Sequence, residues 1–351
     1  MGIRVTVNEC LRQICRGIPD FLPKGGDSFR CHIKMLHFLF STILSEGQVI
    51  ILASLIAFLL TWILLLRPFP FLPRDHGRAY AINGALSKGK LRGVGLVLTA
   101  SYAIVSVLIL HSTIEYLIYC VLIILIMLSG YFDDAAETPW SDYKKGFIDL
   151  VISVATMVTF LMNDSPEIHI LSWSIALPAP VYFILGIILI WTAINVTNCS
   201  DGVDGLCGTV TICIILSYAL IFRDSIREYA GYSCVMAAVI GAYLLFNSSP
   251  SSMLMGDAGS RTFGFFIALL AMKSGHPLSF LILSLVFIID GGLGLVKVFL
   301  LRFLKIAIFK NTRFPLHDQL RKVNGWSDTQ VVVRLTIIQI LLAVAFYFFF
   351  V

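Results

Sequence analysis

Residues 116–134 read YLIYCVLIILIMLSGYFDD. Seventeen residues, Tyr116 to Phe132, carry no charged side chain, and two carboxylates, Asp133 and Asp134, follow at once. An apolar run of that length suits a helix crossing hydrocarbon, and a carboxylate at its edge is costly unless it has a task. The pattern recurs. Asp201, Asp204 and Asp257 also stand at the ends of apolar segments, each beside glycine or asparagine.

The rest of the chain agrees with a membrane reading. Of 351 residues, 58% are hydrophobic and only 13% charged, too little charge for a soluble domain of this size. Mean hydropathy is +0.89. The apolar runs do not alternate, which excludes a β-barrel. The expected fold is all-α: about ten transmembrane helices in one bundle, with a cytoplasm-facing active-site cleft. The spans are expected near 49–66, 93–110, 114–130, 147–163, 179–194, 203–222, 232–246, 260–272, 279–301 and 331–350. Residues 1–47 form a separate tail, whose stretch His32 to Leu44 could lie in the membrane interface as a helix. Residues 48–351 form the main domain. The first long apolar segment begins near residue 48, too late for the core of a cleavable signal, so none is expected.

Orientation follows from the loops. One alternating set (67–92, 131–146, 195–202, 247–259, 302–330) holds fourteen Lys and Arg, and the opposite set holds three. The richer set belongs in the cytoplasm, although six basic residues in the tail argue the other way. The net charge of +5 therefore reflects membrane topology. No basic-aromatic surface suggests nucleic acid. Eight cysteines form no CxxC pair and read as packing residues. All five loop carboxylates fall on the cytoplasmic side.

Four motifs carry the chemistry. Gly130-Tyr131-Phe132-Asp133-Asp134 offers paired carboxylates, able to bind Mg²⁺ or share a proton. Asn195 to Leu206, NVTNCSDGVDGL, spaces Asn195, Asn198 and Asp201 by three residues, on one side of a helix. Met255-Gly256-Asp257-Ala258-Gly259-Ser260 sets a carboxylate where a helix begins, as cap or metal ligand. The loop from Asp75 to Gly95, with Lys88, Lys90 and Arg92 among glycines, suits a phosphate or plain inside-positive charge. Pro315-Leu316-His317 adds a loop histidine, a phosphate donor or acid-base group. Asp149 and Asp290 lie inside spans and read as internal polar contacts, with Lys297 two turns after Asp290.

Together these motifs resemble the polyprenyl-phosphate N-acetylhexosamine-1-phosphate transferases. The order matches from about Asp75 to the C-terminus: basic glycine-rich loop, GxxDD, NxxNxxDGxDGL, MGDxGS and a histidine loop. Within that superfamily the chain is most similar to the phospho-N-acetylmuramoyl-pentapeptide transferases, on Asn247, Pro315-Leu316-His317, Gly325-Trp326 and Val331-Val332-Val333-Arg334. The resemblance implies Mg²⁺, cytoplasmic UDP-MurNAc-pentapeptide, undecaprenyl phosphate in the bilayer, a homodimer, and a site on the cytoplasmic face of the bacterial inner membrane. It implies that Asp257 and Asp134 hold the metal and that Asp133 receives a proton and positions the acceptor. Asn195, Asn198, Asp201, Asp204 and Asn247 become substrate contacts, with Lys88 and His317 on the diphosphate.

The chain departs from the family pattern at Asp318 and Gln319, where histidines are usual, and at Leu254, where phenylalanine precedes MGD. It departs also at Arg261, where an apolar residue is usual, and in a first loop lacking Thr-Pro-Thr. A sister enzyme using UDP-GlcNAc remains open. So does an ion-coupled transporter, which would place its acids near the midplane.

Overall fold

A computed structural model gives the fold. It describes residues 32–33, 40, 43–67, 69–75, 77, 87–170 and 173–350. Most of the 1–47 tail, with its expected interfacial helix, lies outside the described residues.

The helices follow the apolar runs. They are α1 (Glu46–Leu65), α2 (Gly95–Ile109), α3 (Ile114–Asp134), α4 (Asp142–Asn163), α5 (Ala179–Cys199), α6 (Leu206–Ile221), α7 (Arg227–Asn247) and α8 (Gly256–Lys273). After them come α9 (Pro277–Leu283), α10 (Leu285–Leu304), α11 (Leu316–Lys322) and α12 (Asp328–Phe350). Hydroxyls set several starts. Thr113 accepts from Tyr116 N–H at 3.1 Å to open α3, and Ser141 caps α4. Gly205, with φ +85°, starts α6 three residues later than the apolar pattern suggests.

Among the described residues, six helices, α1, α3, α4, α5, α7 and α12, are long and apolar enough to cross a membrane, and the bent pair α9–α10 makes a seventh if it is one span. The pair differs from the single straight span expected at 279–301. It bends by 66° at Ser284, and Gln339 Nε2 of α12 donates to the Leu283 carbonyl at 2.7 Å. A side chain that satisfies a freed carbonyl makes such a break tolerable in a membrane.

The central element is α8. Every residue from Gly256 to Met272 is buried, against α5, α3, α2 and α6. It is also the helix that carries Asp257, Arg261 and Lys273, so the best-shielded rod holds charge at both ends and within. Close backbone approach makes this packing possible. A Cβ on Gly95 would lie 2.1 Å from Gly259 N, and one on Gly130 would lie 2.4 Å from the Asp257 carbonyl carbon and oxygen. Strands are minor: His32–Ile33 pairs with Ser112–Thr113, and the hairpin Glu167–Ile170/Trp173–Ala176 joins α4 to α5 at the end opposite Asp133.

Candidate active site

The C-terminus of α3, the N-terminus of α4 and the N-terminus of α8 meet at one end of the bundle. The glycines of the motifs explain why. Gly130 of GxxDD lies against the Asp257 backbone. Gly256 of MGD takes φ +67° and lies where a Cβ would fall 2.1 Å from Asp134 Oδ2. Ala258 N–H, exposed at the start of α8, donates to the same Asp134 oxygen at 3.2 Å. The two motifs interlock, and Asp133, Asp134 and Asp257 come together.

Two cations hold them. Arg92 Nε donates to Asp134 Oδ1 at 2.8 Å, its Nη1 to Asp75 Oδ1 at 3.2 Å, and its Nη2 stands 3.6 Å from Asp257 Oδ1. Lys145 Nζ bridges Asp133 and Asp257, 3.2 Å from Asp257 Oδ2. Trp140 N–H donates to the other Asp133 oxygen at 2.7 Å. A short ladder aims Arg92: Arg92 N–H donates to Pro73 O, Asp75 N–H to Lys90 O, and Leu254 N–H to Leu91 O. Burial would pull the Arg92 guanidinium down, but the carboxylates of Asp134, Asp257 and Asp75 outweigh it and hold it above its ordinary value.

These residues line a cavity of about 550 Å³, with Asn198 and Asp201 on its far wall. Six acids (Asp75, Asp133, Asp134, Glu137, Asp201, Asp257) and three bases (Arg74, Arg92, Lys145) face it. A phosphate cannot enter such a field without added positive charge. Mg²⁺ commonly binds through one or two carboxylates and the substrate's own phosphates, and Asp257 and Asp134 fit that role. Among the described residues no group of three or more His, Cys, Asp or Glu forms a complete cage.

A second cavity of about 510 Å³ adjoins the first and shares Asp75, Arg92, Cys199 and Asp201 with it. Asp204, Asn247 and His317 line it, with Lys90 and Arg321. Asp204 accepts from Ser251 N–H at 2.9 Å, with Lys90 Nζ 3.8 Å away. Both ends of the Asn247 amide are committed: it accepts from Gly205 N–H and donates to Met253 O, each at 2.9 Å. Asn247 thus shapes the wall by tying two loops. The His317 backbone N–H donates to Asp290 Oδ1 at 2.7 Å, and Nδ1 lies 2.9 Å from Oδ2. Its Nε2 is turned toward Gly202, where an added Cβ would stand 2.2 Å away.

Two expected contacts lie elsewhere. Lys88 is exposed and lines neither cavity, whereas Lys90, two residues on, does. Asn195 also lines neither, and donates to Asp149 Oδ2 at 3.4 Å and to Trp191 O at 2.8 Å. A three-residue step leaves about 60° between side chains on a helix. That is enough to turn Asn198 toward Ser260 Oγ, 3.0 Å away, and Asn195 toward α4. Asp290 pairs with His317 and not with Lys297, which donates to the Phe309 and Thr312 carbonyls. The cause is a π-turn at Ile288–Gly292, which shifts the helical phase after Asp290.

Lys145 is in none of the motifs, and Asp75 and Arg92 enter only as part of a loop suited to phosphate, not as partners of the acids. Arg92 stands among other basic loop residues, and only its place beside Gly93 and Gly95 hints at a close approach. The motif acids Asp133, Asp134, Asp201, Asp204 and Asp257 line the two cavities at one end of the bundle, whereas a transporter would place its acids near the midplane.

Sequence comparison identifies the family. Residues 116–275 match the family Glycosyl transferase family 4. A phospho-N-acetylmuramoyl-pentapeptide-transferase of Treponema pallidum is 34% identical over 313 residues, 82% of this chain and 85% of that protein. Proteins of the same name from Dictyoglomus thermophilum and Halalkalibacterium halodurans are 29% identical over 229 residues and 26% over 314. These cover 63% and 84% of this chain, and 72% and 96% of the relatives. The chain is therefore a membrane phosphosugar transferase and belongs to the phospho-N-acetylmuramoyl-pentapeptide-transferase branch of glycosyl transferase family 4.

Proposed function

We propose that the protein transfers phospho-N-acetylmuramoyl-pentapeptide from UDP-MurNAc-pentapeptide to undecaprenyl phosphate, giving lipid I and UMP. The observation that carries this reading is the convergence of Asp133, Asp134 and Asp257 with Arg92 and Lys145 on the floor of one cavity, beside a second cavity that shares Arg92. Two adjoining chambers suit two phosphate-bearing substrates.

Asp257 and Asp134 would hold Mg²⁺, which supplies positive charge against the oxygens of the leaving UMP. Arg92 and Lys145 neutralise the phosphates as they approach and release their carboxylates to do so. Asp133, gripped by the Trp140 amide and Lys145, positions the acceptor phosphate and takes any remaining proton. Asn198, Asp201, Asp204 and His317 contact the nucleotide or sugar, and Asn247 shapes that wall. On this reading the ten expected spans, α1 to α8, the bent pair α9–α10 and α12, cross the bacterial inner membrane, with the cavities on the cytoplasmic face and the lipid tail in the bilayer. The assembly is a homodimer.

Asp318 lines the second cavity next to His317, which keeps the UDP-GlcNAc reading in play. One experiment separates them: UMP release by the detergent-solubilised protein, with undecaprenyl phosphate and Mg²⁺, from each donor in turn. Release from the pentapeptide donor alone, lost in Asp257→Asn, is the expected result. Release from UDP-GlcNAc alone assigns the sister reaction, and release from neither refutes the proposal.

A further inference from the structure

Beneath the active-site floor lies a second pair of opposite charges. Arg261 Nη2 bonds Asp149 Oδ1, and both side chains are almost wholly buried, at 3% and 1% exposure. Asn195 donates to the other Asp149 oxygen at 3.4 Å. None of the three lines either cavity.

Their sequence positions relate them to the layer above. Asp149 follows Lys145 by four residues on α4, and Arg261 follows Asp257 by four on α8. Side chains four apart lie one above the other on the same helical face. Lys145 and Asp257 form the upper rung at 3.2 Å, and Asp149 and Arg261 form the lower rung with the signs reversed. Each of the four charges thus has an opposite charge across from it and another one turn away on its own helix.

Stability alone gives little reason for this lower rung. A buried ion pair recovers its desolvation cost poorly, and apolar replacements of both partners are commonly neutral or stabilising. The Arg261 fork is also only half used: Nη1 is buried with no hydrogen-bond partner.

We propose that Arg261 is a positioning residue. Paired with Asp149, it forms a charge-reversed layer one turn below Lys145 and Asp257 and fixes both side chains for the transfer step. This rests on the reading of Lys145 and Asp257 as site residues. Without the lower rung Lys145 loses the anion one turn along α4, and Asp257 loses the cation one turn along α8.

Two double variants of the full chain in detergent test it. Asp149→Leu/Arg261→Leu removes both buried charges. Asp149→Arg/Arg261→Asp keeps an ion pair between α4 and α8, but sets a cation below Lys145 and an anion below Asp257. Melting temperature, the kcat and KM of UMP release, and the rate of Lys145 acylation by an amine-reactive ester would be measured for each. Both variants are expected to melt with the parent and to lose about 10²-fold in kcat with KM unchanged, as displaced catalytic groups do. Lys145 should label faster in both.

Parental kcat in the sign-swapped variant would overturn the proposal, since pairing alone would then suffice. Failure of the apolar variant to fold would also overturn it, by giving the pair a structural role. The apolar variant decides alone if the swapped one does not fold. A parent that releases no UMP refutes the transferase reading, and the Lys145 labelling rates then judge the positioning claim independently.

Discussion

Helices α3 and α8 each carry charge at both ends, and the two ends behave differently. At one end Asp134 and Asp257 pair directly with Arg92 and Lys145 on the wall of a cavity of about 550 Å³. At the other, Glu115 of α3 meets Lys273 of α8 at 2.9 Å, and Asp164 meets the same ammonium at 2.7 Å. The ingredients are alike: carboxylates drawn to a cation at helix ends. What differs is the space, since acids outnumber cations two to one in both clusters. Lys273 is closed in by two acids and lines neither cavity described above, so that cluster is a clamp. The opposite cluster has room for a ligand. Excess charge beside a void marks a site, and buried charge by itself does not.

The largest effect should come from Asp257→Asn, which leaves the packing around Gly130 intact. UMP release is expected to fall by about 10³-fold or more, and chelation of divalent cations should match it and be reversed by Mg²⁺. Next, Arg92→Ala should lower kcat by about 10²-fold and also cost about 3 kcal/mol of stability, because Asp134 has no exposed side-chain surface and would lose its partner. Parallel turnover and thermal melting measurements read both. Lys273→Met should cost about 2 kcal/mol of stability and leave turnover per folded molecule unchanged. If it slowed turnover as Arg92→Ala does, the distinction between clamp and site would collapse. The smallest contrast is between neighbours. Lys90→Ala should raise the donor KM about tenfold, as loss of a phosphate-side cation does, while Lys88→Ala should stay within about twofold.

The sequence made the acids legible because each breaks an apolar run, where a carboxylate is conspicuous. It did not pair them with their cations. The loop holding Arg92 reads as suited to a phosphate or as plain inside-positive charge, and Lys145, at a helix start, carries no signal beyond the positive charge that topology already predicts. The bent span was hidden for a related reason. Ser284 is unremarkable in an apolar run, and the group that stabilises the bend, Gln339, is 56 residues after its acceptor Leu283. The pairing of Asp290 with His317 depends on a π-turn that no periodicity of 3.6 would anticipate. Asn195 and Asn198 show the limit of spacing arguments, since one helical step of three residues separates a cavity wall from a half-buried contact with Asp149 of α4.

Arg92 belongs to both cavities, and this sharing links the thermodynamics of their occupants. Its fork already reaches three carboxylates at once, so geometry does not limit it to one anion, but it carries a single positive charge. If the proposed donor diphosphate and acceptor phosphate occupy the two cavities together, that one charge is divided between them, and the coupling is the same whichever arrives first. On the proposed reading the two substrates bind antagonistically in the absence of added cation, and a divalent ion relieves that antagonism by supplying the charge that one side chain cannot provide twice.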